Sequence, residues 1–597
     1  MKKADNAFRK RKGPIVMKRI LFVVLNLTGL YGTAQKLELP PPSPLPSFNV
    51  VAPERSVAMG NPDSFPEVKM DFPIATGPFE PTWQSINDHY PQYPDWLREA
   101  KFGIWVHFGP QASGLSGDWY ARRMYVEGEA SYANHVRDDG HPATPEHGYK
   151  DLLKTWNPVH YNPAKLVKTY HDAGARFLFI QGVHHDNYDL WNSAYQPWNS
   201  VNIGPKRDLL NEWATAVRAA DMHYGITFHH EYTWWWWESA YRSDSAGKYA
   251  GIPYDGALTA RRDTSAWWAP YDLRMLYGPN MREYKGIGES RYAPLKGIFT
   301  QHLTYAHWYA NNWALRMLDA INKYDPDFIY TDGNSTQPFS GFKSGTGYKC
   351  DAAQRVVASY YNQALRLRGK TDVFSVVKFH PAGRKGVVTT FEGKFPKTIK
   401  TDQPWIGENA LGDWYYGPGF VYSADAVIRF LLECVSRDGC YAVSIPIRPD
   451  GSLAPECERM LTDIGKWMTI NGDGIYGSKA WKKIGEGKDS LRVLPSGNLG
   501  KKQAEFVFAP TDIRFTEGKD GNVYVYCMTV PKAGTKLAIT SLGWDAHLLP
   551  ENIQAVELLG YPHPVQWKQA GDALHITFPA ATHAKTAVCF RIKTKTI

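Results

Sequence analysis

The amino-acid sequence predicts an α/β fold in two parts, a TIM-like (β/α)8 barrel followed by an all-β C-terminal sandwich. Two observations predict it. Strand-like runs alternate with amphipathic helices from about residue 94 to residue 471, as in a parallel sheet with helical crossovers. From about residue 475 the helices stop, and short alternating strands follow one another between Gly, Pro, Asp and Asn residues.

In the first part, seven segments have the composition of buried strands. They are residues 102–107, 176–180, 224–228, 328–330, 373–377, 387–391 and 440–445. Helical spacing of apolar side chains predicts helices at residues 163–173, 209–220, 308–323, 352–367, 424–436 and 455–471. This number of strand–helix repeats suits a closed barrel better than an open sheet.

Residues 325–334 place a carboxylate at a predicted strand end. Pro326 stops the preceding helix, a short apolar strand follows, and Asp332 stands at its end before Gly333, which permits a sharp turn. A barrel aims catalytic groups into its mouth from such positions. The alternative reading of these ten residues alone is an ordinary Asp-Gly turn.

The sequence of the second part, from about residue 475, predicts short strands only. They fall at residues 491–494, 505–509, 523–529, 536–540, 555–559, 573–578 and 587–592. The predicted organisation is therefore a signal peptide and N-terminal extension at residues 1–34, a Pro-rich N-terminal segment at 35–84, the catalytic barrel at 85–475, and the sandwich at 476–597. Residues 35 to about 81 are expected to form an exposed tether.

The N-terminal residues have the features of an export signal. Lys18 and Arg19 precede an apolar run over residues 20–30, and the small residues at 32–34 resemble a cleavage site before Gln35. Both Met1 and Met17 could be the start. The run is too short for a membrane span, so we expect export to the periplasm, the cell surface or the medium.

The net charge of +9 comes mostly from this leader. Residues 1–34 carry eight basic residues and one acidic residue, so the rest of the chain has a net charge of only +2. Nucleic acid is not expected as a partner, because phosphate backbones require a clustered basic face.

The six cysteines form no CxxC pair, so the sequence predicts no zinc cluster and no cofactor. Aromatic residues make up 14% of the chain, and aromatic faces pack against the apolar faces of sugar rings. A carbohydrate site would use such residues.

Histidines and carboxylates gather at the predicted strand ends, where a barrel would bring them together. They are His107, Asp118, His184, His185, His229, Glu231, Asp332 and Glu392. Two chemistries suit this group. A metal hydrolase would use His and carboxylate ligands, although the sequence has no HxH or HExxH pattern. A glycoside hydrolase would use two carboxylates, and Asp332 with Glu392 suits that pairing.

Several motifs resemble one known family. The segments are residues 96–109 (WLREAKFGIWVHFG), 118–125 (DWYARRMY), 184–193 (HHDNYDLWNS), 329–333 (IYTDG), 445–451 (IPIRPDG) and 464–467 (IGKW). In this order they resemble the alpha-L-fucosidases of glycoside hydrolase family 29. The resemblance runs from about Trp96 to the C-terminus, and it implies a retaining exo-glycosidase that needs no metal.

The resemblance also implies residue roles. Asp332 would be the nucleophile, and a set of residues would grip the terminal sugar: His107, Asp118, Trp119, His184, His185, Phe228, His229, Glu231, Tyr330 and Arg384. Phe228 stands where a Tyr is common in the family, and Tyr330 where a Trp is common. The acid/base varies in position within the family; Glu392 is the first candidate because it ends a strand, and Glu408 and Glu231 follow.

The sequence thus predicts hydrolysis of terminal alpha-linked L-fucose or a close relative. L-Galactose differs by one hydroxyl at C6, so an exo-alpha-L-galactosidase is an alternative, with Arg261, Arg262, Arg274 and Arg282 as candidates for meeting a sulfate. A catalytically impaired carbohydrate-binding protein of the same fold is a second alternative, and a metal hydrolase a third. The oligomeric state is left open.

Overall fold

The computed structural model describes most of the chain between residues 36 and 594. The described residues are 36–48, 68–231, 233–258, 265–280, 303–332, 350–378, 385–419, 423–487, 508–549, 552–580 and 585–594. The chain divides into two units, Met1–Gln35 and Lys36–Ile597, and all described residues belong to the second.

Eight parallel strands form one sheet in the order β5-β4-β3-β2-β1-β8-β7-β6. The strands are β1 (Phe102–Val106), β2 (Phe177–Val183), β3 (His223–Phe228), β4 (Phe328–Thr331), β5 (Phe374–Val377), β6 (Thr389–Glu392), β7 (Trp405–Ala410) and β8 (Cys440–Ser444). A parallel bridge between Ser375 and Val387 joins the two edges, and the amide of Val388 donates to the carbonyl of Ser375 at 2.9 Å. The sheet therefore closes into the predicted barrel.

Helices surround this sheet and connect its strands. They are α1 (Trp83–His89), α2 (Asp95–Ala100), α3 (Tyr120–Arg123), α4 (Ala130–Asp138), α5 (Tyr149–Thr155), α6 (Pro163–Asp172), α7 (Leu209–Ala219), α8 (Thr233–Trp236), α9 (Leu273–Tyr277), α10 (Leu303–Tyr324), α11 (Ala352–Arg368), α12 (Ala424–Val435) and α13 (Pro455–Asn471). Within the described ranges, none of these helices is long and apolar enough to cross a membrane.

The inside of the barrel is filled by alternate side chains of the strands. The strands and their ends contribute Trp105, Phe177, Phe179, Phe328, Tyr330, Phe374, Val376, Val388, Ile406, Cys440 and Ala442, and α2 adds Leu97 and Ala100 to the same cluster. Since side chains alternate along a strand, the next inward positions are at the C-terminal strand ends. The packed interior thus forms the floor beneath that end of the barrel.

The C-terminal part has two antiparallel sheets, in the orders β13-β16-β11-β10-β9 and β12-β15-β14. Its strands are β9 (Lys479–Glu486), β10 (Ile513–Glu517), β11 (Val523–Cys527), β12 (Lys536–Ile539), β13 (Ile553–Leu558), β14 (Gln566–Gln569), β15 (Leu574–Thr577) and β16 (Val588–Thr594). A separate apolar core that includes Phe515, Leu537 and Ile576 lies within this part. The predicted fold class is confirmed.

Individual elements differ from the predictions. Strand β7 was not predicted, because Gly407 and Glu408 interrupt its apolar pattern, and β9, β10 and β14 were also missed. The strands predicted at 491–494 and 505–509 lie outside the described residues, except for 508 and 509, which are not in a strand.

The N-terminal segment is less exposed than its proline content predicts. Met70 and Phe72 are buried, and the amide of Met70 donates to Oδ1 of Asp351 at 2.7 Å. The amide of Phe79 donates to Oδ1 of Asn362, in α11, at 3.0 Å. The expectation of an exposed segment from residue 35 to about residue 81 is wrong for its last part, because buried hydrogen bonds fix residues 70–79 to the barrel.

Candidate active site

Hydrogen bonds beyond the strand ends align the candidate residues. The amide of His229 donates to the carbonyl of Val183 at 3.0 Å, and that of Asp332 donates to Phe228 at 2.9 Å. The amide of Lys378 donates to Thr331 at 3.2 Å. These bonds continue the ladders of β2 to β5, so His229, Asp332 and Lys378 lie side by side at one end of the barrel.

Four buried histidines cluster beside Asp332. The ring of His184 lies 4.8 Å from that of His229 and 4.2 Å from that of His185, between ring centroids. His107 lies 5.7 Å from His184 and 5.6 Å from His229. The predicted convergence of His107, His184, His185 and His229 from three strand ends is therefore present in the structure.

Hydrogen bonds assign the tautomers of three of these rings. His185 Nδ1 donates to the carbonyl of His229 at 2.8 Å, and His229 Nδ1 donates to that of Val183 at 3.2 Å. The Nε2 atoms of both rings are then acceptors in the neutral form. His184 Nδ1 instead accepts from Gln111 Nε2 at 2.8 Å, so its Nε2–H is a donor. The cluster offers both kinds of partner to hydroxyl groups.

The histidines are neutral at neutral pH. Burial lowers the pKa of His185 to about 4 and that of His229 to about 3. Burial also lowers the pKa of His107 and of His184 well below the usual range, and neighbouring imidazoles add to the effect. The site therefore binds through neutral imidazoles.

Asp332 is ionised. Burial alone would raise its pKa, but Lys378, and then His229 and His185, outweigh that effect and lower the pKa to about 2. Its Oδ2 lies 3.7 Å from His185 Nε2, and its Oδ1 lies 2.8 Å from Lys378 Nζ. A carboxylate in this state is available as a nucleophile.

Lys378 joins Asp332 to Glu392. Its Nζ lies 2.8 Å from Asp332 Oδ1 and 2.8 Å from Glu392 Oε2. These contacts limit the distance between the two oxygens to at most 5.6 Å, twice the length of each contact. Burial would lower the pKa of Lys378, but the carboxylates of Asp332 and Glu392 raise it well above its usual value.

Glu408 is deeper in the barrel than Glu392. The two residues are register partners in β7 and β6, but Glu408 is only 1% exposed, whereas the side chain of Glu392 is 24% exposed. Burial raises the pKa of Glu408 to about 8, against the lowering effect of Lys378. Glu408 is therefore protonated at neutral pH and less accessible to a substrate.

The comparisons with known proteins bear on this arrangement. The family model for alpha-L-fucosidase matches residues 68–473, and the model for the alpha-L-fucosidase C-terminal domain matches residues 508–593. The chain belongs to the alpha-L-fucosidase family. It is therefore a glycoside hydrolase by family, and the barrel with its C-terminal β domain is the fold of that family.

Relatives of this fucosidase-family chain span most of its length. The tissue alpha-L-fucosidase of Rattus norvegicus is 24% identical over 80% of this chain and 86% of its own length. That of Homo sapiens is 25% identical over 68% of this chain and 73% of its own. The Thermotoga maritima alpha-fucosidase structure covers 86% of this chain and 100% of its own at 19% identity, with a TM-score of 0.60, a likeness of fold.

In this fucosidase-family site, aromatic side chains extend the histidine cluster. The ring of Trp119 lies 5.6 Å from His185, and the ring of Trp414 lies 4.7 Å from His107, between centroids. Asp118 Oδ1 accepts from the amide of Trp119 at 2.8 Å and lies 3.7 Å from His184 Nε2. Tyr330 packs edge-on against Trp105 on the floor of the site.

Phe228 does not join the fucosidase site. It is fully buried in the cluster between strands and helices, where its ring lies 6.3 Å from Trp191 and 6.1 Å from His230. Side chains alternate along β3, so His229 faces the site and Phe228 faces away. The prediction that Phe228 binds the sugar is wrong for that reason.

Of the remaining predicted residues, the structure describes Glu231 and Arg274 but not the other arginines. Glu231 is fully buried three residues beyond β3. Arg384 lies outside the described residues, as do Arg261, Arg262 and Arg282. Arg274 makes a salt bridge to Asp272, with Nη2 2.6 Å from Oδ2. A sulfate would have to compete with that carboxylate.

Sequence reasoning missed Lys378, Gln111, Gln181, Trp414 and Tyr415. The hydroxyl of Tyr415 donates to Oε1 of Gln181 at 2.7 Å, and its ring lies 5.1 Å from that of His184. The signal for Lys378 was available, since it directly follows a predicted strand. Histidines and carboxylates at such positions were the predicted site residues, and a lysine can occupy the same kind of position. No signal marked the others, which act through tertiary contacts.

Three of the histidines could approach a metal ion. Ring nitrogens of His107, His184 and His229 lie within 4.8 Å of one another. Zinc bonds of about 2.0–2.1 Å in a tetrahedral site require closer nitrogens. The ring nitrogen of His184 that accepts from Gln111 is also already engaged. These three rings are the candidate metal ligands among the described residues, with His184 offering Nε2.

Proposed function

We propose that the protein is an exported retaining exo-alpha-L-fucosidase, with Asp332 as nucleophile and Glu392 as acid/base. The observation that carries the proposal is the separation of at most 5.6 Å between Asp332 Oδ1 and Glu392 Oε2. This upper limit for one pair of oxygens agrees with the separation of about 5–5.5 Å between the carboxyl groups of retaining glycosidases, whereas inverting enzymes need about 6.5–9.5 Å to admit a water.

The reaction proceeds in two displacements. Asp332 bonds to the anomeric carbon while the glycosidic bond breaks and the leaving oxygen takes the proton of Glu392. A water then gives a proton to Glu392 and attacks the anomeric carbon, and the ester bond to Asp332 breaks. Each displacement inverts the anomeric carbon, so the product keeps the substrate's configuration.

The neutral histidines support binding of a sugar rather than of a charged group. Acceptor nitrogens on His185 and His229 and a donor nitrogen on His184 match hydroxyls, which both donate and accept. Trp119 and Trp414 offer faces for apolar parts of the ring. The curated relatives are named alpha-L-fucosidases, which favours L-fucose as the terminal sugar.

The test compares hydrolysis of 4-nitrophenyl alpha-L-fucoside and alpha-L-galactoside by the wild type and Asp332→Ala. We expect release of fucose with retained configuration in the first-formed product by NMR, and a loss of roughly a thousandfold or more in the variant. Faster release of L-galactose would select the galactosidase alternative. No release from either sugar would overturn the exo-fucosidase proposal and favour a binding-only protein.

Export rests on the sequence of residues 18–35. N-terminal sequencing of the protein from cells and from the surrounding fractions tests it. A mature chain that begins at or near Gln35 outside the cytoplasm is the expected result. A full-length chain confined to the cytoplasm would contradict it.

A further inference from the structure

Lys378 is the one cation placed between the two proposed catalytic carboxylates among the described residues. Its Nζ is equidistant, at 2.8 Å, from Asp332 Oδ1 and Glu392 Oε2, and its side chain is 14% exposed. Lys378 directly follows β5, and a hydrogen bond from its amide to the carbonyl of Thr331 fixes the position of its backbone. A buried ammonium in this position interacts with both carboxylates more strongly than it would in water.

The position matters because the negative charge changes place during a double displacement. Before the first step, Asp332 is ionised and Glu392 carries the proton. After it, Asp332 is a neutral ester and Glu392 is ionised, because its proton has left with the leaving group. The second step returns the charge to Asp332. A cation in contact with only one carboxylate would stabilise one of these states and oppose the other.

We propose that Lys378 is a charge-balancing positioning residue, which stays paired with the negative charge as it passes from Asp332 to Glu392 and back. This inference rests on the proposed function. The group formed by Asp332, Glu392 and Lys378 has no net charge both in the free enzyme ready to react and in the glycosyl-enzyme. Neither displacement then leaves an unpaired charge in the buried site.

Other ionisable groups face this trio from the neighbouring strands. They are His107 after β1, His185 after β2, His229 after β3, Tyr330 in β4 and Glu408 in β7. The histidines are neutral, and Tyr330 and Glu408 hold their protons at neutral pH. Lys378 is thus the positive charge nearest to both carboxylates in the described site.

The test compares the pH dependence of kcat/KM for 4-nitrophenyl alpha-L-fucoside in the wild type, Lys378→Met and Lys378→Arg. Lys378 lowers the pKa of Asp332, so loss of the cation should raise that pKa. The acid limb, set by Asp332, should therefore move to higher pH, by about one to three units. Lys378→Met should also lose roughly a hundredfold or more in kcat, and Lys378→Arg should keep the acid limb near its wild-type position.

Lys101→Met is the matched control. It removes another buried lysine, 3.8 Å from Asp438, but at the opposite end of β1 from the site. The limbs of the pH profile of kcat/KM should stay at their wild-type positions in Lys101→Met. If Lys378→Met does not fold, Lys378→Gln serves the same test. An active Met variant whose acid limb stays in place would overturn the inference and leave the proposed function intact.

A second readout separates the inference from the proposed function. A cationic iminosugar of L-fuco configuration binds best to an ionised Asp332, so its calorimetric affinity reports that ionisation without turnover. As the pH is lowered, Asp332 takes up a proton and the iminosugar binds more weakly. This loss of affinity should occur at a higher pH in Lys378→Met than in the wild type, even if neither protein hydrolyses the fucoside. Equal pH dependence in the two proteins would overturn the role of Lys378.

Discussion

The hydroxyl of Tyr330 lies 3.2 Å from Oε1 of Glu408 and donates a hydrogen bond to it inside the barrel. The contact joins β4, which leads to Asp332, with β7, which runs beside the strand that ends in Glu392. The hydroxyl of Tyr330 provides the buried Glu408 with a hydrogen-bond donor that a side chain without a hydroxyl would not supply at this position.

Glu408 should make the folded protein less stable as the pH rises. Its folded pKa, raised to about 8 by burial, lies above the ordinary value of 4.5. Between these values the folded state holds a proton that the unfolded state releases, so stability falls with rising pH, by at most about 1.4 kcal/mol per unit. Glu408→Gln mimics the protonated form, and its advantage in urea unfolding should grow from pH 5.5 to pH 8.

A stability difference between Glu408→Gln and the wild type that is the same at both pH values would contradict this. Glu392→Gln is the control, since its side chain is more exposed and paired with Lys378.

Glu392, rather than Glu408, should behave as the acid/base. Removal of the acid/base spares substrates whose leaving groups need no protonation, because only the proton transfer is lost. Glu392→Ala should therefore lose roughly a hundredfold to ten-thousandfold on a natural linkage, much less on an aryl fucoside with a very acidic phenol, and azide should restore turnover. Steady-state kinetics of Glu392→Ala on the natural linkage and on the aryl fucoside, with and without azide, measure these losses.

Glu408→Gln provides the comparison for that experiment. Equal losses on both substrates are expected, because Glu408, only 1% exposed, has no part in the proposed proton transfer. If Glu408→Gln shows the leaving-group dependence and azide rescue instead, the assignment of the two glutamates is reversed.

The strand ends could be predicted because the barrel rule needs only local patterns. His107, Asp332 and Glu392 each follow or end an apolar run, and the rule states that such positions meet at one mouth. The same rule would have selected Lys378. Strand β7 was not predicted because Glu408 occupies a position in it that faces the inside of the barrel. In a sequence pattern, a glutamate indicates an exposed position.

Near the end of β3, the sequence does not show which side chains point into the barrel and which point away from it. Both Phe228 and His229 stand at the boundary of a buried strand, and one step along a strand reverses the side. The sequence therefore predicts both residues in the sugar site. The structure directs His229 inward and Phe228 into the core outside the barrel. Partners such as Gln111 and His184 are 73 residues apart, beyond any local pattern.

Gln111 should hold His184 in the tautomer that donates to the substrate. Gln111→Met removes the donor to Nδ1, so the proton can move to that atom and Nε2 loses its donor role. We expect KM for the fucoside to rise about tenfold, the equivalent of one hydrogen bond, with a smaller change in kcat. Steady-state kinetics measure both parameters.

The control is Gln363→Met, another buried glutamine, located in α11. It should leave KM unchanged. A change in kcat alone for Gln111→Met would contradict the role in binding, and an equal effect of both variants would indicate a general loss of packing.

Chelation should not reduce activity. In the proposed reaction Asp332 and Glu392 carry out both displacements, and the nitrogens of His107, His184 and His229 spread over up to 4.8 Å. Dialysis against EDTA, followed by assay of fucoside hydrolysis and metal analysis, tests this. Loss of activity that zinc restores would favour the metal-hydrolase alternative.

A buried charge cluster should anchor the β domain to the barrel. Glu433 in α12 accepts from Arg514 of β10, at 2.6 Å from Nη2 and 2.9 Å from Nε, and also pairs with Arg437. Burial would raise the pKa of Glu433, but Arg514 and Arg437 lower it overall. Because its folded pKa is depressed, this stabilisation is complete above about pH 4.5 and is lost as the pH falls through the folded pKa.

Glu433→Gln leaves two buried guanidinium groups without a counter-charge, so it should destabilise the fold by about 3–5 kcal/mol in thermal or urea unfolding at pH 7. Asp172→Asn breaks the exposed Lys168–Asp172 pair and should cost less than about 1 kcal/mol. The triple variant Glu433→Leu, Arg437→Met and Arg514→Met replaces the whole cluster with apolar side chains and should recover much of the loss. Equal losses in Glu433→Gln and Asp172→Asn would show that the cluster contributes no more than a surface ion pair.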